Sequence, residues 1–155
     1  MASKVDSGER ELDTADFAAL RAVTTRWRDN DMYGHLNNAV YYELFDAAIN
    51  ALIIENADFD PVAAGVIGVV AETGCRYFRQ VGFPQTLQVG LRVERLGTSS
   101  VTYGLALFAG EGQGEHQRCV LAARGRWVHV YVDRETRRPV PVPGPIRDLL
   151  EHYVF

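Results

Sequence analysis

Apolar positions along this chain follow two different periods. Tyr41, Leu44, Phe45, Ala48, Ile49 and Leu52 recur at helical spacing and form one stripe, with Glu43, Asp46 and Asn50 largely on the opposite face. This predicts a long helix ending near Asn56, roughly 28 Å from end to end at about 1.5 Å per residue. No Pro or Gly interrupts it. Asn37 or Asn38 suits its N-cap, because an Asn side chain can accept from the first free amides. Farther on, Leu87, Val89, Leu91 and Val93 alternate with Gln88, Gly90, Arg92 and Glu94, the period of a strand. Val101, Tyr103, Leu105 and Leu107 alternate again. Val66 to Phe78 is β-branched or aromatic for much of its length, and Cys119 to Val132 places Val128, Val130 and Val132 on one face. Before the helix, Val23 to Arg28 suits a first strand. A polar loop with one glycine, Asp29 to Asn37, joins the two. A loop with three glycines spans Gly110 to Gln117. The proline-rich stretch Arg137 to Pro145 precedes a short helix over Ile146 to His152.

The resulting order is strand, long helix, then four strands joined by short turns in an antiparallel meander. It predicts an α+β fold in which the helix buries its stripe against one face of the sheet. One helix covers only one face, so the other calls for solvent or a partner, and a homodimer or homotetramer is expected. Residues 1–16 read as a polar N-terminal tail and 17–155 as a single domain.

Composition narrows the function classes. A hydrophobic fraction of 47% fits a globular chain rather than a disordered one. A net charge of −4 with scattered basic residues argues against nucleic-acid binding, which would show a basic face. The run Pro61 to Ala71 is too short to span a bilayer, and the start of the chain has no apolar signal-like segment. A cytoplasmic location is expected, so Cys75 and Cys119 read as free thiols. Neither belongs to a Cys-x-x-Cys pair.

The loop and helix start carry the signature Asp29-x-Asp31-x-x-Gly34-His35-x-Asn37-Asn38-x-x-Tyr41. With the element order above, it resembles the hot-dog fold, in which a curved antiparallel sheet wraps one long central helix. The specific similarity is to the acyl-CoA thioesterase branch that contains 4-hydroxybenzoyl-CoA thioesterase. Tyr77-Phe78-Arg79 with Gly82, Trp127-Val128 and the Arg138-to-Pro143 tail resemble that branch more weakly. The similarity covers about residues 22 to 148.

Thioester hydrolysis needs an attacking water or carboxylate and donors for the developing oxyanion, which helix N-terminal amides supply well. The CoA thiolate leaves readily, so a strong general acid is not required. The resemblance implies that Asp31 is the catalytic carboxylate, acting as nucleophile through a mixed anhydride or as general base on water. The backbone N–H of Asn38 is the expected oxyanion donor. Gly34, His35 and Asn37 are expected to shape the active-site loop, with Gly34 keeping it slim beside the substrate. Asp29 reads as a hydrogen-bonded staple of the loop. Thr73 and Glu72 lie on the strand after the helix, which in this fold can flank a neighbouring active site, and Thr73 is a possible second-strand contribution. Glu43 is a minor alternative carboxylate. Arg95 and Arg138 are expected to meet the CoA phosphates. No metal site and no cofactor are expected, coenzyme A being part of the substrate. The competing reading is a non-catalytic acyl-CoA-binding or regulatory module of the same fold.

Overall fold

A computed structural model describes residues 11–155; the first ten residues of the expected tail lie outside the described residues. Its main elements are β1 (Ala19–Thr24), α1 (Asn38–Asn56), β2 (Val66–Tyr77), β3 (Thr86–Leu96), β4 (Ser100–Glu111), β5 (Arg118–Asp133) and α2 (Gly144–Glu151). The five strands form one antiparallel sheet in the order β1-β3-β4-β5-β2. The architecture is the expected α+β hot-dog arrangement, with α1 lying along one face of the curved sheet.

The helical stripe does what its spacing requires. Val40, Tyr41, Phe45, Ala48, Ile49, Leu52 and Ile53 are buried against Leu87, Val89, Leu91, Val93, Tyr103, Leu105 and Trp127 of the sheet. Leu44 is only half-buried, at the rim of the stripe. Phe45 is fully buried over Gly125, where an added Cβ would sit 2.7 Å from its ring. A side chain on Gly125 would therefore lift the helix from the sheet. Of the two expected caps, Asn37 takes the role, its side chain accepting from the N–H of Ala39 at 3.0 Å.

Two expectations need correction. The first strand lies at Ala19–Thr24 rather than over Val23 to Arg28. Its ladder partner β3 begins at Thr86, opposite Thr24, so no sheet edge continues beyond that point. Residues Trp27–Asp29 wind into a 3₁₀ turn instead, and Trp27 is 80% exposed. The four strands after the helix are also not one meander. β3, β4 and β5 follow in order, but β2 pairs with β5 at the far edge. The chain from β2 to β3 consequently runs past the loop before α1. There the N–H of Leu36 donates to the carbonyl of Val81 at 2.7 Å, and the N–H of Phe83 donates to Asn30 Oδ1 at 3.0 Å. That passage builds one wall of the site.

Candidate active site

The loop feeding α1 is anchored by a half-buried ion pair. Arg26 donates to Asp29 through Nη2 at 2.8 Å and Nε at 3.0 Å, and its backbone N–H donates to the other carboxylate oxygen at 2.7 Å. The Asp29 side chain is nearly sealed from solvent, whereas the guanidinium is half-exposed. Hydrogen bonds from Arg26 hold the Asp29 carboxyl below its ordinary range, outweighing the opposing effect of burial. The carbonyl of Asp29 also accepts from the N–H of Asn37 at 2.8 Å, closing the loop at the helix cap. Asp29 thus has the geometry of the expected staple.

Inside this closure the chain makes a tight turn. The N–H of Asp31 donates to the carbonyl of His35 at 2.8 Å, and the N–H of Gly34 donates back to the carbonyl of Asp31 at 3.1 Å. Gly34 sits at φ 81°, the left-handed region where a side chain would be strained. Asp31 Oδ1 accepts from the N–H of Tyr33 at 2.9 Å and from that of His35 at 3.4 Å. Among the described residues, Asp31 Oδ2 accepts from no donor. The carboxylate therefore orders its own loop with one oxygen and leaves the other available.

Asn38 opens the 19-residue helix α1. Its N–H has no acceptor among the described residues, and it lies where the aligned peptide dipoles favour negative charge. Asp31, Tyr33, His35, Leu36, Asn38 and Tyr41 line one side of a cleft of about 550 Å³, and Tyr77, Phe78, Arg79 and Gln80 line the other. Tyr77 donates its hydroxyl to the carbonyl of Asn38 at 3.4 Å and packs edge-on against Tyr41, with ring centroids 4.9 Å apart. Burial pushes the Tyr41 hydroxyl up to about 12 and raises that of Tyr77 as well, so both stay protonated. The arrangement can present a carboxylate oxygen and a helix N-terminal N–H to a substrate carbonyl between two protonated tyrosines.

Not every expected site residue enters this cleft. Asp31, His35 and Asn38 line it; Gly34 and Asn37 shape its loop and cap. Thr73 does not. It is exposed on β2, opposite Trp127, and the cleft takes its β2-side wall from Tyr77 onward. Glu72 pairs with Arg126, and Glu43 with Arg26 at 3.3 Å. Arg95 lines a separate groove with Thr98, Pro141 and Arg147. Arg138 is exposed beside the Asp133–Thr136 turn. Cys75 and Cys119 are free thiols. Contributors that were not expected as site residues are Arg26, which holds the loop, and Leu36, Tyr77, Phe78, Arg79 and Gln80, which line the cleft. Arg26 had one available signal, its position three residues before Asp29, one 3₁₀ turn away.

No helix among the described residues is long and apolar enough to cross a membrane. Residues 25–150 match the sequence family described as the thioesterase-like superfamily. The PA5185 protein of Pseudomonas aeruginosa strain PAO1 is similar in structure at a TM-score of 0.85, with 44% identity, covering 94% of this chain and 97% of that one. A predicted thioesterase of Bacillus stearothermophilus matches at a TM-score of 0.70 with 28% identity, over 88% of this chain and 96% of the other. 4-Hydroxybenzoyl-CoA thioesterase, solved with 4-hydroxybenzoyl-CoA, shares the fold at a TM-score of 0.73 and 14% identity, over 87% and 97% of the two chains. With a family match that runs from just after β1 to the end of α2, this chain belongs to the hot-dog proteins of the thioesterase-like superfamily.

Proposed function

We propose that this protein is an acyl-CoA thioesterase that hydrolyses a CoA thioester to the free acid and CoA. The observation that carries the reading is the presence, in one cleft, of the Asn38 N–H at the start of α1 and an Asp31 carboxylate oxygen without a donor among the described residues. Asp31 attacks the thioester carbonyl directly or takes a proton from the attacking water. The Asn38 N–H receives the developing oxyanion, and the N-terminal dipole of α1 favours the charge there. Departure of the thiolate restores the carbonyl, as the free acid on the water route and as a mixed anhydride on the direct route, which water then cleaves to the acid and the Asp31 carboxylate. Gly34 and His35 keep the loop in register, and Asn37 fixes the helix start. After a single turnover in oxygen-18 water, label in the Asp31 carboxylate marks the mixed anhydride.

The working form is proposed to be a homo-oligomer. Among the described residues β2, 12 residues long, ends the sheet with no strand on its outer side, an edge that solitary proteins seldom leave uncovered. A copy pairing there would bring Thr73 toward a neighbouring cleft. Arg95 and Arg138 are the proposed partners of the CoA phosphates, as cations outside the cleft itself. The protein is proposed to act in the cytoplasm.

The direct test is steady-state thiol release from a panel of short-chain, long-chain and aryl CoA thioesters. Turnover of at least one class is expected, well above the rate of spontaneous hydrolysis. Absence of release across the whole panel would overturn the assignment as an enzyme.

A further inference from the structure

The helix-facing side of β5 carries a second group of polar side chains, remote from Asp31. His129 is 4% exposed, and its imidazole has no hydrogen-bond partner among the described residues. The ring packs edge-on against Tyr103, with centroids 5.5 Å apart. Tyr103 is wholly buried, and its hydroxyl has the Tyr131 hydroxyl as its polar neighbour. Buried polar groups are normally satisfied, so an imidazole without a partner among the described residues draws attention to the space beside it.

His129 opens on a cavity of about 240 Å³. Tyr131 and Asn50 add the other hydrogen-bonding groups, and Ile53, Phe59, Val66 and Ile67 are among its apolar walls. The Asn50 amide nitrogen already donates to the carbonyl of Asp46 at 2.9 Å, so its oxygen remains for a ligand. Gly68 keeps the space open beside Tyr131, because a Cβ there would press on that ring at 3.2 Å. This cavity and the Asp31 cleft share no lining residue. Along α1, Tyr41 of one and Asn50 of the other are separated by roughly 13 Å at about 1.5 Å per residue.

The lining selects the chemistry of an occupant. No Lys, Arg, Asp or Glu lines the cavity, so a charged head group would be desolvated without a counter-ion. Burial holds the imidazole towards its neutral form, against the smaller pull of Asp46, so it offers one donor and one acceptor. Burial likewise pushes the Tyr131 hydroxyl up to about 12 against a hydrogen bond from Tyr103, so it stays protonated and its own proton is left for a ligand. A hydroxyl, which donates once and accepts twice, matches this set. The volume lies below the roughly 300–1,000 Å³ of drug-sized sites. We propose that this cavity binds a neutral, fragment-sized phenol or alcohol, its apolar body among Ile53, Phe59, Val66 and Ile67 and its hydroxyl on His129, Tyr131 and Asn50.

The test reads binding, not hydrolysis, and so stands or falls apart from the thioesterase reading. The protein's four histidines, His35, His116, His129 and His152, give separate imidazole signals by NMR in histidine-labelled protein. His35 reports on the Asp31 cleft and His129 on this cavity. Titration with 4-ethylphenol is expected to move the His129 signal saturably while His35 stays in place. Ethylbenzene, which lacks the hydroxyl, is expected to bind about tenfold more weakly, the effect of one hydrogen bond. His129→Phe should abolish that preference. Asn50→Leu, at an exposed helix position that spares the core, should lower 4-ethylphenol affinity at least threefold without weakening ethylbenzene. Equal affinity for the two probes, a response of His35 without His129, or no saturable response would each overturn the proposal. So would full 4-ethylphenol affinity in Asn50→Leu.

Discussion

Asp31→Asn is expected to lower kcat for acyl-CoA hydrolysis by about 10²–10⁴-fold, the usual range for removing a positioned base, with KM and thermal midpoint near those of the unaltered protein. The substitution suits the question because of how Asp31 is held. Its Oδ1 accepts from the N–H groups of Tyr33 and His35, and the Asn oxygen can accept in the same place. What changes is the other oxygen, replaced by an amide nitrogen that carries no negative charge and cannot attack or take a proton. A fall in kcat at constant KM marks an interaction made only in the transition state. Asp31→Ala gives the contrast. It also removes the acceptor for Tyr33, and a further loss of about 1 kcal/mol of stability is expected. Steady-state thiol release and a melting curve for both variants separate the two effects. Should Asp31→Asn turn over like the unaltered protein, Asp31 is a turn residue and the chemistry lies elsewhere. The non-catalytic reading instead requires no turnover in either protein and unchanged ligand binding.

The parts of the fold that were legible in the sequence are those governed by local rules. The α1 stripe repeats every three or four residues, and only a helix brings Tyr41, Phe45, Ile49 and Leu52 to one side; the buried residues agree. The same holds for β3, where Leu87, Val89, Leu91 and Val93 are all buried. Asp29 was legible as a staple because a second carboxylate two residues from Asp31 needs its own partner. Long-range pairing was not legible. Where β1 stops depends on where β3 starts, 62 residues later at Thr86, and nothing near Trp27 records it. Trp27 reads as a strand residue by type, yet it lies exposed in a 3₁₀ turn with its ring edge-on to Phe83. The path of β2 to the far edge was hidden for the same reason, and with it the wall formed by Tyr77, Arg79 and Gln80. The placement of Thr73, Arg95 and Arg138 outside the cleft follows from that topology rather than from any property of their own neighbourhoods.

Arg26→Met is the second large effect, and it acts on the fold beneath the site. The substitution leaves the nearly sealed Asp29 carboxylate with the backbone N–H of residue 26 but without the guanidinium. Removing one partner of an ion pair strands the other; because this guanidinium is half-exposed the loss is smaller than for a sealed pair, and a lower urea midpoint is expected at pH 7. The pH dependence fixes the cause. In the unaltered protein the folded Asp29 carboxyl titrates below its unfolded value. Its stabilisation is therefore complete above the unfolded carboxyl's range and fades as pH falls from about 5 towards the folded value. Without the guanidinium, burial is opposed only by the backbone N–H of residue 26 and by Arg28, so the folded carboxyl titrates closer to its unfolded value. The stability that the guanidinium adds through this charge is then missing at neutral pH, and acidification removes it from the unaltered protein as well. Urea unfolding of both proteins at pH 7 and pH 4 should show the stability gap narrowing at the lower pH. A gap of the same size at both would mean that Arg26 acts through packing rather than through the charge of Asp29. Thiol release should fall in the same variant even where it remains folded. The carbonyl of Asp29 accepts from Asn37, so a loosened clamp frees the cap that sets the Asn38 N–H, and the carboxylate of Asp31 loses its fixed position relative to that donor.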